Sequence, residues 1–148
     1  MKEKIIEPPI VFAASVILEA LSHYYFPLFT VIPSNLRFLG LVFIFISLLL
    51  SFWQLHTMLG KTPIPYGSSP KTLLKDGPFK YTRNAFYLSL ILISLGVAVY
   101  SADLVPFLIV ILEFYIFNKF LIPPEEKVLE EIFGQEYMDY KKKVRRWI

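Results

Sequence analysis

The sequence contains no cysteine, only two histidines and only six glycines. Without cysteine the chain forms no disulfide, carries no thiolate nucleophile, and cannot hold cysteine-ligated zinc or an iron–sulfur cluster. Two histidines are too few for the usual structural metal sites, so we predict that no metal is bound.

Charge is also scarce. Asp, Glu, Lys and Arg make up 18% of the residues and hydrophobic residues 55%, against roughly 25% charged residues in an average soluble domain. A soluble fold of 148 residues could not bury this much apolar surface. The charges are also segregated, because residues 123–148 carry close to half of them. This pattern predicts one membrane-embedded domain with a water-exposed tail.

Four apolar segments approach or exceed the roughly 20 residues needed to cross the hydrocarbon core of a bilayer. They cover residues 9–31, 36–59, 85–101 and 104–122. We therefore predict an all-α integral membrane protein with four transmembrane helices. The first segment is too long for a signal-peptide core and lacks a small-residue cleavage site, so we expect it to remain as an anchor.

The tail, residues 123–148, is predicted to be amphipathic and helical. Pro123 and Pro124 are expected to stop one helix and begin the next, and Gly134 is placed to end that second helix. Tyr137, Tyr140, Val144 and Trp147 are spaced along one face of a further short helix. Such a tail would lie against the membrane or cap the helix bundle.

All Lys and Arg residues except Arg37 fall on one side of a four-span arrangement. They precede the first segment, occupy the central loop at residues 60–83, or lie near and beyond the end of the last segment. The positive-inside rule then predicts that both termini and the central loop are cytoplasmic. Because these basic residues flank apolar segments, we interpret them as lipid-headgroup signals and predict no nucleic-acid partner.

Three ionisable residues lie well inside the predicted spans, away from their ends: Glu19, His23 and Glu113. A charge at the centre of a membrane helix costs about 2.5–3.5 kcal/mol. Two interpretations stay open. The residues form a polar cavity inside the bundle, or Glu19 and His23 satisfy each other while Glu113 is protonated or bonded to a neighbouring helix.

Two clusters carry candidate chemistry. Residues 77–87 read Gly-Pro-Phe-Lys-Tyr-Thr-Arg-Asn-Ala-Phe-Tyr and lead into the third segment, with Arg83 and Tyr87 four apart on one helical face. Taken alone, these two residues also fit the positive-inside rule and the aromatic belt. The second cluster, Glu125 and Glu126, follows the proline pair, where the helix macrodipole favours acidic residues in any case.

Together these clusters resemble the isoprenylcysteine carboxyl methyltransferases and phospholipid N-methyltransferases, a family of small integral membrane enzymes. That family has a Gly-Pro-aromatic turn leading to Arg-His or Arg-Asn, then a hydrophobic hairpin, Glu-Glu-x-x-Leu and Phe-Gly-x-x-Tyr-x-x-Tyr. Residues 125–129 and 133–140 supply the last two motifs. The resemblance covers about residues 62–147. Asn84 stands where the family often has His, and Ala85 stands where it has Pro.

The resemblance implies S-adenosylmethionine as the cofactor. Arg83 would hold the carboxylate of the cofactor, while Glu125 and Glu126 would accept hydrogen bonds from its ribose hydroxyls or its amino group. Tyr81 and Tyr87 would offer rings to the adenine or to the sulfonium, where a cation–π contact contributes about 0.5–2 kcal/mol.

Gly77 and Asn84 complete the expected cofactor-binding set. The expected catalytic residues are Arg83, Glu126 and Glu113, the two acids being candidate bases where the acceptor must lose a proton. A soluble methyltransferase architecture is excluded, because the sequence has neither a strand pattern nor a glycine-rich loop.

We thus predict methyl transfer to a lipophilic, membrane-resident acceptor, either a carboxylate of a prenylated-cysteine-like group or a headgroup amine. Membrane lipids or lipidated molecules are the expected partners, and the sequence leaves the acceptor and the oligomeric state open. Two other classes remain. One is a non-catalytic lipid-binding or assembly protein that keeps the fold. The other is a small transporter using Glu19, His23 and Glu113, which the lack of an internal repeat argues against.

Overall fold

The computed structural model of the protein describes residues 7–27, 29–59 and 72–148. These residues form the α-helical segments α1 (Pro8–Tyr25), α2 (Phe38–Met58), α3 (Ala85–Ser101), α4 (Leu104–Ile116), α5 (Ile122–Phe133) and α6 (Gln135–Lys143). Short 3-10 turns occupy Ser34–Leu36 and Gly77–Lys80. The described residues include no strand, only a single bridge between Thr30 and Asp103. The all-α prediction is therefore confirmed.

Helix α3 is at the centre of the bundle. It packs against α2 on one side and against α1 and α4 on the other. Small residues allow α2 and α3 to approach closely, because a Cβ on Gly40 would lie 2.4 Å from the carbonyl oxygen of Gly96. The hydroxyl of Ser47 adds an interhelical hydrogen bond to the carbonyl of Ser89, at 2.6 Å.

Apolar side chains lie on the outside of this bundle. The exposed large hydrophobic residues of α2 include Phe45 and Phe52, and those of α4 include Ile111. Two helices, Ser34–Met58 and Leu104–Phe133, are long and apolar enough to cross a membrane by length and composition, whereas α3 is apolar but shorter. Two of the four predicted spans therefore meet this criterion among the described residues.

The first predicted span, residues 9–31, is only partly helical. Helix α1 ends at Tyr25, two residues before Pro27, which has no N–H to continue the helix. The following segment crosses the turn between α3 and α4, where the N–H of Val31 donates to the carbonyl of Ala102 at 2.7 Å. The same turn provides the partner of His23, which pairs with Asp103 and not with Glu19 as one interpretation required.

The predicted stop at Pro123 and Pro124 is wrong, because the chain remains helical from Leu104 to Phe133. Helix α4 passes into α5 through a π-helical stretch, Phe117–Leu121. At its end the N–H of Ile122 bonds the carbonyl of Phe117, five residues back instead of four. This wide turn moves the hydrogen-bond register just before the prolines, which lie in the first turn of α5, where missing N–H groups are tolerated.

The tail folds back on the bundle. Gly134, at φ +51°, ends α5 as predicted, and α6 then buries Tyr137 and Tyr140. The predicted second tail helix ends at Lys143, so residues 144–148 are not α-helical. Within this segment, the ring of Trp147 packs on Phe114 with ring centroids 4.8 Å apart.

The Gly40–Gly96 contact predicts that Gly40→Ala lowers the stability of the protein by about 1–3 kcal/mol, because the new methyl group pushes α2 away from α3. Thermal unfolding in detergent measures the change. Leu41→Ala is the control, since Leu41 is adjacent but 56% exposed. An unfolding temperature equal to that of the control would contradict the close packing.

Candidate functional site

A cavity of about 540 Å³ lies between the end of α2, the turn before α3 and the start of α5. Its volume is within the range of small-molecule sites, roughly 300–1,000 Å³. The described residues that line it are Ser51, Gln54, Leu55, Met58, Leu74, Phe79, Arg83, Asn84, Ala85, Phe86, Tyr87 and Glu125. The structure thus brings Arg83, Asn84, Tyr87 and Glu125, four of the predicted site residues, to one wall.

Arg83 is the cation of this wall. Its side chain is 8% exposed, and one nitrogen, Nη2, lies 3.1 Å from Oε1 of Glu126. Its Nε and Nη1 are buried and have no hydrogen-bond partner among the described residues. Leaving a buried donor unpaired costs about 1–3 kcal/mol, and more when it is charged. The guanidinium is therefore prepared for an anionic acceptor that reaches it from the cavity.

Glu126 supports Arg83 and does not line the cavity itself. It is 5% exposed. Its Oε1 accepts a hydrogen bond from Nε of Arg146 at 3.3 Å, and its Oε2 accepts one from Nη2 of Arg146 at 2.7 Å. Arg146 thus makes a two-point contact with this carboxylate, while Arg83 makes only one.

Residues 144–148 are held against the site by several hydrogen bonds. The carbonyl of Arg146 accepts hydrogen bonds from the hydroxyl of Thr82 at 3.0 Å and from Nδ2 of Asn84 at 3.1 Å. The N–H of Arg83 donates to the carbonyl of Arg145 at 3.0 Å. This backbone pairing fixes the residues that precede α3, and with them the direction in which Arg83 extends.

The π-helical stretch also contributes to the site. In a regular α-helix the carbonyl of Asn118 would accept the N–H of Ile122, but that N–H bonds Phe117 here. The carbonyl of Asn118 instead accepts Nη1 of Arg146 at 3.3 Å, and its side-chain Oδ1 accepts Nη1 at 3.2 Å. The wide turn therefore provides acceptors that hold Arg146.

Gln54 is a polar wall residue that sequence reasoning missed. It is 8% exposed, and its Oε1 is buried without a hydrogen-bond partner among the described residues. Its position inside the apolar helix α2 was a signal, because a polar side chain within such a helix needs a partner. Ser51, which also lines the cavity, lies three residues earlier on the same helical face.

Glu125 provides the negative charge of the wall. Its side chain is exposed, and it interacts electrostatically with the hydroxyl of Tyr87, which lines the same cavity. Tyr87 itself is 3% exposed, and its ring packs edge-on against Phe117 with centroids 5.0 Å apart. Glu125 and Arg83 therefore provide an acceptor group and a donor group in the same wall.

Besides Glu126, three predicted site residues lie outside the lining set. Gly77 adopts φ +58° beneath α2, where a Cβ would lie 2.2 Å from the hydroxyl of Thr57. Tyr81 is 65% exposed, and its ring lies 6.2 Å from that of Trp53. Glu113 is buried inside the bundle within electrostatic range of Glu19.

Two buried tyrosines of α6, Tyr137 and Tyr140, lie next to the residues of the site. Burial raises the pKa of Tyr137 to about 12, and the nearby Glu126 carboxylate adds to the increase while Arg83 opposes it. Burial also raises the pKa of Tyr140, whose hydroxyl donates to the carbonyl of Phe79 at 2.7 Å. Both side chains therefore stay neutral at physiological pH, and Tyr140 also acts as a hydrogen-bond donor.

The arrangement combines a partly free guanidinium, a free amide oxygen and a carboxylate around an otherwise largely apolar cavity. A small molecule with a carboxylate and a cationic donor at one end would satisfy Arg83 and Gln54 together.

Comparison with known proteins adds independent information. The sequence profile of a family described as phospholipid methyltransferase matches residues 36–136, which include all the described lining residues. An uncharacterized protein of Haemophilus influenzae is 45% identical to the chain over 62 residues, which cover 42% of this chain and 98% of that protein.

Proposed function

Because the chain belongs to the phospholipid methyltransferase family, we propose that it transfers a methyl group from S-adenosylmethionine to a lipophilic, membrane-resident acceptor. The observation that carries this proposal is that Arg83, which lines the cavity of about 540 Å³, has two buried nitrogens without a hydrogen-bond partner among the described residues. They are donors without an acceptor, and the amino-acid end of the cofactor carries a carboxylate.

The other wall residues fit the same cofactor. The free Oε1 of Gln54 is suited to the cationic amino group beside that carboxylate. Phe79, Phe86 and Tyr87 supply aromatic surface for adenine or for the sulfonium. When bound, S-adenosylmethionine supplies an electrophilic methyl group on a positively charged sulfur.

The protein has mainly to position the two reactants in line and to exclude water. Arg83 and Gln54 would hold one end of the cofactor, and the apolar wall, which includes Leu55, Met58 and Leu74, would exclude water. An amine acceptor must also lose one proton as the new N–C bond forms. Glu125 is the one carboxylate among the described lining residues, and we assign it that proton.

We further propose that all four predicted segments are embedded in the membrane, with α1 and α3 beside the two longer helices. Helices α1 and α3 have 18 and 17 residues, or about 27 and 26 Å at 1.5 Å per residue, slightly less than the roughly 30 Å of the hydrocarbon core. The cavity lies at the end of the bundle where α2 ends and where residues 72–83 precede α3. An acceptor held in the bilayer would therefore reach it at the headgroup level.

The first prediction from this function is that Arg83→Ala weakens the binding of S-adenosylhomocysteine about ten- to a hundred-fold, because a charged hydrogen bond is lost. Gln54→Leu, which removes the amide oxygen at similar volume, should weaken binding in the same direction. Lys127→Ala removes an equal charge from an exposed position and is the control. Isothermal titration calorimetry in detergent provides the affinities. A wild type that does not bind would favour the non-catalytic lipid-binding or assembly protein.

The second prediction concerns the acceptor. Labelled S-adenosylmethionine should transfer its methyl group to a component of a total lipid extract in liposomes, and a water-soluble headgroup analogue should be a poor substrate. The rate should rise toward about pH 8–9 for an amine acceptor and stay flat above about pH 6 for a carboxylate, which is already ionised. Efficient methylation of the soluble analogue, with no gain from a lipid tail, would contradict a membrane-resident acceptor.

The third prediction concerns topology, with both termini and the cavity on the cytoplasmic side. Since the chain has no cysteine, Ser34→Cys and Asp139→Cys each introduce a single thiol. An impermeant thiol reagent added to whole cells should label the first and not the second. Labelling of both from outside would exclude the four-span arrangement.

A further inference from the structure

The pairing of Glu126 is unequal between its two arginines. Arg146 contacts both carboxylate oxygens, and Arg83 contacts only Oε1 through Nη2. Because Arg146 already makes the two-point contact with this carboxylate, which is the favoured geometry for a guanidinium, Arg83 is left with a single contact. The two nitrogens that Arg83 leaves unpaired are the two that the cofactor proposal uses.

Arg146 is fixed independently of Glu126. Its Nη1 donates to both the carbonyl and the side chain of Asn118, and its own carbonyl accepts two hydrogen bonds from residues just before α3. The indole N–H of Trp147 donates to the side-chain oxygen of Asn118, Oδ1, at 3.2 Å. The guanidinium of Arg146 is thus held beside Glu126 by the π-helical stretch and by the backbone.

Removing Arg146 would leave Oε2 of Glu126 without a donor at a site that is 5% exposed. A buried carboxylate takes the nearest available donors, and those belong to Arg83, which is already in contact. A second bond from Arg83 to Glu126 would use one of its two free nitrogens. The guanidinium would then turn away from the cavity.

We propose that Arg146 is a positioning residue: by occupying Glu126 from the other side, it keeps two nitrogens of Arg83 free for the carboxylate of the bound molecule. This inference rests on the proposed function for the identity of that molecule. The side chain of Arg146 is not among the described residues that line the cavity, so the effect that we propose for its guanidinium acts through Glu126.

The test compares four proteins by calorimetry with S-adenosylhomocysteine: wild type, Arg146→Ala, Glu126→Gln and the double variant. Arg146→Ala should bind about ten-fold more weakly or worse. The double variant should bind more tightly than Arg146→Ala, because glutamine has no charge with which to capture Arg83. A double variant that binds as weakly as Arg146→Ala, or more weakly, would show that Arg146 acts only by stabilising the structure and would overturn the inference.

Two further variants keep the result interpretable. Lys142→Ala removes an equal charge from the same tail at an exposed position and should bind like the wild type. Arg146→Lys keeps a cation beside Glu126 with one contact point, so its affinity should lie between those of the wild type and Arg146→Ala. If Arg146→Ala does not fold, Arg146→Lys takes its place in the comparison with the wild type.

A second measurement needs no ligand. In protein labelled with ¹⁵N-arginine, the Nε–H signal of Arg83, assigned from its loss in Arg83→Lys, should shift in Arg146→Ala and return in the double variant. The signal of Arg37, at the start of α2 away from the cavity, is the reference. An unchanged Arg83 signal would overturn the inference whatever the calorimetry shows. A wild type without affinity would contradict the proposed function, and the signal alone would then decide the role of Arg146.

Discussion

A buried carboxylate must find donors for both of its oxygens, and Glu126 meets this requirement by joining three parts of the chain. It lies on α5 and is bonded to Arg83, just before α3, and to Arg146 in the segment after α6. Separating any one of these parts would leave a charge unpaired away from water, at a cost of about 3–5 kcal/mol. The cavity wall takes its shape from this requirement, because the same contacts set the position of Arg83.

The rest of the bundle follows a different rule. Its apolar side chains lie mostly outside, and its interior includes serine, glycine and the side chains of Glu19 and Glu113. In a bilayer, lipid tails are as apolar as leucine, so helices associate through close packing and hydrogen bonds instead of through burial of apolar side chains. The contact between Gly40 and Gly96 and the bond from Ser47 to Ser89 are of this kind. The exposed apolar surface of α2 and α4 is consistent with membrane helices.

Much of this organisation could be predicted from the sequence, because it depends on local composition. Segment hydrophobicity predicts helices α2, α3 and α4. The glycine at position 134 predicts a helix end, because glycine readily adopts a positive φ, and Gly134 has one in the structure. The two motif clusters also indicated that Arg83 and Glu125 belong to one site. Long-range contacts were not predictable in this way. No local sequence feature indicates that His23 pairs with Asp103. Likewise, none indicates that Glu126 bonds two arginines while Glu125 lines the cavity.

Gln54 and Arg146 are two further residues whose roles depend on the fold and could not be predicted from the sequence alone. Gln54 stood out as a polar residue within an apolar segment, yet only the fold shows that it faces the cavity. Arg146 was one of several basic residues in a tail, with no feature to separate it from Lys142 or Arg145. Its importance comes from the acceptors that surround it in space.

The π-helical stretch before the two prolines sets the rotational phase of everything that follows it. An α-helix advances 360° over 3.6 residues, so the one additional residue in the wide turn rotates α5 by about 100° relative to an uninterrupted helix. With this rotation, Glu125 faces the cavity and Glu126 faces the arginines. Loss of a single residue between Phe117 and Leu121 would turn both acids to other faces, so the spacing of this stretch is as much a part of the site as the acids themselves.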